Sequence, residues 1–162
     1  MIISGKELSK SLKEELKVKV AALDKEYGRV PNLVVVLVGD DPGSVSYVTG
    51  KAKAADEVGI RNTTLRREAT ITEEELLALV EELNNDNDVD GILIQLPLPK
   101  HIDENKVIAA ISPEKDVDAF HPMNVAKLWL KQPCVLPCTP KGIIKLLRFA
   151  GVEIAGKEAV VV

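Results

Sequence analysis

Apolar positions follow two alternating rhythms along this chain, helical spacing and short continuous runs. Leu8, Leu12, Leu16, Val20 and Leu23 recur at helical spacing behind Ser4 and Glu7, a capping-box pair, and Gly28 closes the segment. Residues 33–38 are all apolar and read as a buried strand. Asp41 and Pro42 then have the form of a helix start, a capping carboxylate followed by a proline at the first helical position. That helix runs to Gly59 with Val45, Val48, Ala52 and Ala55 as its apolar stripe. Residues 61–66 read as a second, half-exposed strand. Thr72 and Glu75 repeat the capping box ahead of Leu76, Leu79, Val80 and Leu83, residues 89–95 form a third strand, and a short helix is expected over 104–110.

This order predicts an α/β fold: a three-layer parallel-sheet domain with helical crossovers. Three strands are expected, and a further one depends on Ile2 and Ile3 pairing at an edge. Residues 112–140 are proline-rich and irregular, with a short helix near 125–130, and read as a functional loop or an interdomain passage. Thr139 and Pro140 open a last helix that ends at Gly151, with Ile143, Ile144, Leu146 and Leu147 on its buried side and Lys145 and Arg148 towards solvent. Residues 159–162, Ala-Val-Val-Val, look like the first strand of a new α/β unit, the kind a glycine-rich dinucleotide loop follows. A parallel strand left there would have an unprotected edge, so the chain is expected to be a truncation at the start of a Rossmann-like domain.

Composition narrows the function classes. The chain has 162 residues, 46% apolar and 28% charged, with a net charge of -4, the profile of a soluble globular protein. No long basic run points to nucleic acid, and the longest apolar run falls far short of the roughly 20 residues that cross a bilayer. With no signal-peptide pattern near Lys6 and Glu7, a cytoplasmic location is expected. Cys134 and Cys138 read as reduced loop thiols. With only His101 and His121 to join them, no metal site is expected.

The candidate chemistry lies beyond the carboxyl ends of the strands, where open parallel sheets bind ligands. Tyr47 and Lys51 are four residues apart on the helix after the first strand, so phenol and ammonium share a face at the edge of its apolar stripe. A half-desolvated lysine there can act as acid, base or electrostatic clamp. The third strand delivers Gln95 to the same rim, where its amide oxygen can hold the lysine in one rotamer. Taken singly, Tyr47 is equally a boundary aromatic, Lys51 a solvated helix lysine and Gln95 a strand-end cap. Asp116 and Asp118 point the same way if their segment is extended, and three readings stay open for them: a metal carboxylate pair, contact with a planar donor edge of a ligand, or ordering of the loop.

The blocks VGDDPGSVSYVTGKAKAADEVGI, GILIQLPLPKHI, PEKDVDAFHPMNV, PCTPKGII and GKEAVVV occur in this order over nearly the whole chain. Together they resemble the bifunctional methylenetetrahydrofolate dehydrogenase/methenyltetrahydrofolate cyclohydrolase family. The resemblance implies a folate-binding catalytic domain over 1–138. It also implies that 139–162 are the connecting helix and first strand of an NADP-binding Rossmann domain. By the same resemblance Lys51 is the central catalytic residue, Gln95 positions it, Tyr47 packs on the aromatic portion of the folate and orients the lysine, Asp118 hydrogen-bonds the pterin, and Pro140 lies where the folate cleft meets the second domain. The implied reactions are NADP-dependent oxidation of 5,10-methylenetetrahydrofolate and hydrolysis of the methenyl product to 10-formyltetrahydrofolate, in a homodimer serving purine biosynthesis.

Two departures stand out. Ala119 occupies a position that is usually glycine in the family, and if it requires positive φ, alanine is strained there by roughly 1 kcal/mol or more. No glycine-rich dinucleotide loop is present, so NADP is expected to bind outside these residues and the chain alone is not expected to be a dehydrogenase. Two rivals remain: a non-catalytic folate-binding or dimerisation module, and a Schiff-base lyase with Lys51 as nucleophile.

Overall fold

A computed structural model describes residues 3–160. Nine elements follow in the order α1 (Gly5–Tyr27), β1 (Asn32–Val38), α2 (Pro42–Val58), β2 (Arg61–Arg67), α3 (Glu73–Asn85), β3 (Gly91–Ile94), α4 (Glu104–Ala110), α5 (Pro122–Trp129) and α6 (Cys138–Phe149). The three strands are parallel in the order β2-β1-β3, with Leu33 level with Asn62 on one side and with Gly91 on the other.

Successive residues of β1 point to opposite faces, and both faces are covered. Val34, Val36 and Val38 join Ile92 and Ile94 beneath α3 (Leu76, Leu79, Val80, Leu83) and α4 (Val107). Val35, Leu37 and Leu93 face α2 through Val48. The layers are therefore helix, sheet, helix, as the continuous apolar run of β1 requires. Each fully buried valine or leucine contributes about 1.5–3 kcal/mol.

The helix starts follow their caps. Asp41 accepts from the Ser44 amide at 2.8 Å with Pro42 at the first helical position. Thr72 and Glu75 close a complete capping box, with bonds of 3.1 and 2.8 Å. At α1 only half of the expected box forms: the Glu7 amide donates to Ser4 Oγ at 3.3 Å, without the reciprocal carboxylate bond among the described residues.

Several expectations are corrected. The third strand is shorter than 89–95: β3 is four residues, and Gln95 follows it, its amide still bonded to Val36 O at 2.9 Å. Ile3 belongs to no strand, and Ile2 lies outside the described residues. Helix α6 begins at Cys138 behind Pro137, so Thr139 falls inside its first turn instead of capping it. Its apolar side is only partly covered: Ile143 is 54% and Ile144 38% exposed, while Leu146 and Leu147 are half-buried, and α6 meets α1. Ala159 and Val160 are irregular, and Val161 and Val162 lie outside the described residues.

The 112–118 segment docks on the outer edge of β3. The Ile92 amide donates to Lys115 O at 2.8 Å, and Asp116 forms a parallel bridge with Ile92. The Lys115 ammonium reaches back to the carboxyl end of α3, donating to Leu83, Asn84 and Asp86 carbonyls at 2.7–2.9 Å. Gly91 makes the docking possible, since a Cβ there would stand 2.5 Å from Val117 Cγ1. Valine is stiff at χ1, so it cannot swing aside cheaply. Gly91→Ala should therefore destabilise the fold by about 1–3 kcal/mol in chemical denaturation. A loss below about 0.5 kcal/mol, the level of a neutral surface change, would show that Val117 is not held there.

Candidate functional site

The strand order creates a crevice at the carboxyl end of the sheet. From β1 the chain leaves to α2 on one face, and from β3 it continues to α4 on the other, so the two helices part above the β1/β3 boundary. Lys51, three turns into α2, and Gln95, one residue past β3, meet there. Lys51 Nζ donates to Gln95 Oε1 at 3.0 Å. The amide of Gln95 is oriented by its other end, where Nε2 donates to Leu96 O at 2.7 Å. Reversing it would set an NH2 group against an ammonium, so the acceptor must face the lysine.

Tyr47 stands at the rim. It is 70% exposed, and Lys51 Nζ lies 6.0 Å from its ring centroid, at the outer limit of a cation–π contact. Its face is thus free for a planar ligand. Below the rim a mostly apolar cavity of about 590 Å³ runs from Lys51, Ala54, Leu93, Val117, Asp118 and Cys138 down to Asn32 and Asp90 at the amino ends of the strands, with Tyr47 and Gln95 outside its walls.

Asp116 and Asp118 do not act as a pair. Their segment bends at Val117 and Asp118, so the extended backbone that would point both carboxylates the same way is not present. Asp116, 3% exposed, points into the loop and accepts from the Ala119 amide (3.0 Å), the His121 amide (2.9 Å) and Asn124 Nδ2 (2.9 Å). This is the loop-ordering role among the three readings. Asp118 lines the cavity with Lys51, and its carboxylate accepts no hydrogen bond among the described residues. Burial raises its pKa above the usual carboxylate value, the Lys51 charge pulls it down, and Asp116 pushes it up. Directly after Asp118, Ala119 has φ 60°, the left-handed conformation that alanine tolerates at a cost of about 1 kcal/mol.

Pro140 is not among the walls of this cavity. It lines a separate groove of about 400 Å³ with Leu128, Leu136 and Ile144 between α5 and α6. Cys138, two residues earlier, does reach the Lys51 cavity, which nothing in the local pattern distinguishes from an ordinary loop thiol. The histidines are engaged elsewhere: His101 Nε2 bonds Ile71 O at 2.8 Å, and His121 Nδ1 caps α5 by accepting from the Met123 amide at 3.0 Å.

A dinucleotide does not fit the strand-to-helix turn after β1. The Ser44 amide holds the Asp41 carboxyl below the usual value, so a negative charge already occupies the start of α2 where a pyrophosphate would have to sit.

Residues 3–118 match the family model described as tetrahydrofolate dehydrogenase/cyclohydrolase, catalytic domain. The chain is 58% identical over 161 residues to the bifunctional protein FolD of Geobacillus thermodenitrificans and 53% identical to that of Brevibacillus brevis, covering 99% of this chain and 56% of each relative. Among solved structures, a Trypanosoma brucei methylenetetrahydrofolate dehydrogenase-cyclohydrolase complexed with NADP cofactor and inhibitor superposes with a TM-score of 0.92 at 39% identity, over 97% of this chain and 54% of that one. The bifunctional enzyme of Campylobacter jejuni superposes at 0.90 with 47% identity, over 94% and 54%. The chain thus spans little more than half the length of these relatives.

Asp118 also sets a pH-dependent stability term. Its folded pKa is raised above the unfolded value near 3.8, so the stability that depends on its protonated form is complete below that value and is lost as pH rises through the folded pKa. Asp118→Asn should therefore melt above the parent at pH 7, and the gap should shrink as pH falls towards 4. A lower melting temperature for the variant at neutral pH would contradict this.

Proposed function

The chain belongs to the tetrahydrofolate dehydrogenase/cyclohydrolase family, and from that premise we propose that its cavity takes a tetrahydrofolate carrying a one-carbon unit, with Lys51 acting on that unit. The observation that carries the reading is the lysine fixed by Gln95 at 3.0 Å, at a cavity that also holds the unpartnered Asp118 carboxylate. An acceptor-only carboxylate facing the cavity suits the paired N–H donors of a pterin edge. The exposed Tyr47 ring offers a stacking face for the aromatic portion of the folate, whereas Pro140 lines the separate groove between α5 and α6.

The hydrolytic step falls to these residues. Water adds to the methenyl carbon, forming a C–O bond and giving up a proton. As the ring opens, the carbon–N5 bond breaks, its electron pair returns to N5, and the proton of the carbinol oxygen passes to N5. The products are 10-formyltetrahydrofolate and one released proton. Lys51 as the neutral amine is placed to take the proton of the water and, as the ammonium so formed, to return it to N5, and Gln95 accepts from its nitrogen and keeps it in the one position that serves both transfers. In the preceding oxidation, NADP supplies the hydride acceptor, and the residues described here hold the folate for it.

The proposal extends to the domain division, with 1–138 as the folate domain and 139–162 leading into an NADP-binding domain. It further includes a cytoplasmic homodimer that serves purine biosynthesis, with neither nucleic acid nor membrane as partner. A net charge of -4 is in keeping with that, and among the described residues no helix is long and apolar enough to cross a membrane. A non-catalytic folate-binding module is the competing reading, favoured by the strained Ala119.

The test follows the near-ultraviolet absorbance of 5,10-methenyltetrahydrofolate. Lys51→Met should slow its enzymatic decay by roughly 10²-fold or more while folate binding stays measurable. Undiminished hydrolysis would remove Lys51 from the mechanism. Folate binding by the parent without any acceleration would favour the binding module.

A further inference from the structure

Asp118 must face Lys51 without a hydrogen bond of its own to hold it, so its direction has to come from the backbone on either side. That backbone is gripped at two points by one buried carboxylate, which a side-chain amide holds in turn. Asp116 Oδ1 takes the Ala119 amide, and Oδ2 takes both the His121 amide and Asn124 Nδ2. Asn124, 3% exposed on the first turn of α5, spends its amide group on this carboxylate and on Pro113 O, also at 2.9 Å. Asp118 is thus enclosed between the residue that grips and the residues that are gripped, with Ala119 held in a left-handed conformation it would otherwise leave. Below, the Ile92 bridge and the Val117 side chain pin the same turn to the sheet. A carboxylate this deeply buried is costly unless its acceptor sites are filled, and here the backbone of the Asp118 turn and Asn124 fill them.

We propose that Asp116 and Asn124 are positioning residues for the folate site, a buried carboxylate–carboxamide clamp that aims Asp118 into the cavity opposite Lys51. The inference rests on the reading of that cavity as a folate site. It assigns a role to two residues that touch no substrate and lie on the far side of the loop.

A double-mutant cycle on the full-length protein separates positioning from mere stability. Affinity for 5-formyltetrahydrofolate, a stable reduced folate, is measured for the parent, Asn124→Ala, Asp118→Asn and the double variant, well below their melting temperatures. If Asn124 acts through Asp118, Asn124→Ala weakens binding by about tenfold in the parent and by less than about twofold in the Asp118→Asn background. Equal losses in both backgrounds, or no loss in the parent, would overturn the clamp while leaving the folate reading intact. Unchanged affinity in Asp118→Asn alone would overturn the folate role of Asp118 and the clamp with it. Should Asn124→Ala not fold, Asn124→Ser, which retains a shorter donor, is read through the same cycle.

Discussion

A parallel strand buried on both faces needs a helix on each side, and in this chain that strand is β1. With right-handed crossovers, the chain can satisfy the requirement only by sending α2 over one face towards β2 and α3 over the other on the way to β3. A crevice between the carboxyl ends of β1 and β3 is the consequence. Whatever the first turns of α2 and the residues after β3 carry is brought together there. Lys51 and Gln95 lie 44 residues apart in sequence and 3.0 Å apart in space for that reason.

The other half of the site depends on a sheet edge. The outer side of β3 would present unpaired backbone groups, and the 112–118 segment covers it. The absent side chain of Gly91 lets Val117 lie against the sheet, and the next residue then enters the cavity. The cationic and anionic sides of the cavity are thus carried by separate supports, one on the core helix and one on the edge turn. Preorganisation of this kind requires that neither charged group relax towards a local partner. Gln95 prevents it for Lys51, and the turn around Asp116 prevents it for Asp118.

Much of this was legible in the sequence because its signals are local. The pairs Asp41/Pro42 and Thr72/Glu75 start helices by hydrogen bonds that span three residues, and the apolar run of β1 marks burial on both sides. Tyr47 and Lys51 follow from helical spacing, and Gln95 from the end of a strand. The turn at 116–119 was not legible in this way. Whether Asp116 and Asp118 point together depends on Asn124 and on the edge of β3, contacts that no spacing rule contains. Ala119 was recognised as a strained position only through the family resemblance, and its φ of 60° agrees. The exposure of Ile143 and Ile144 on α6 was not legible either, because amphipathic periodicity reports an apolar face but not the surface it meets. Cys138 and Pro140 show the same limit: two residues apart on one helix, they line different cavities.

The central claim is that a reduced folate binds in the crevice between Lys51, Gln95 and Asp118. The most direct measurement is a two-dimensional amide and side-chain NMR titration of the protein with 5-formyltetrahydrofolate. The account predicts saturable shifts concentrated at the Gln95 side-chain amide, at the backbone of 117–119 and along the exposed side of α2 around Tyr47 and Lys51. Shifts centred instead on the groove between α5 and α6, or none at saturating ligand, would contradict it.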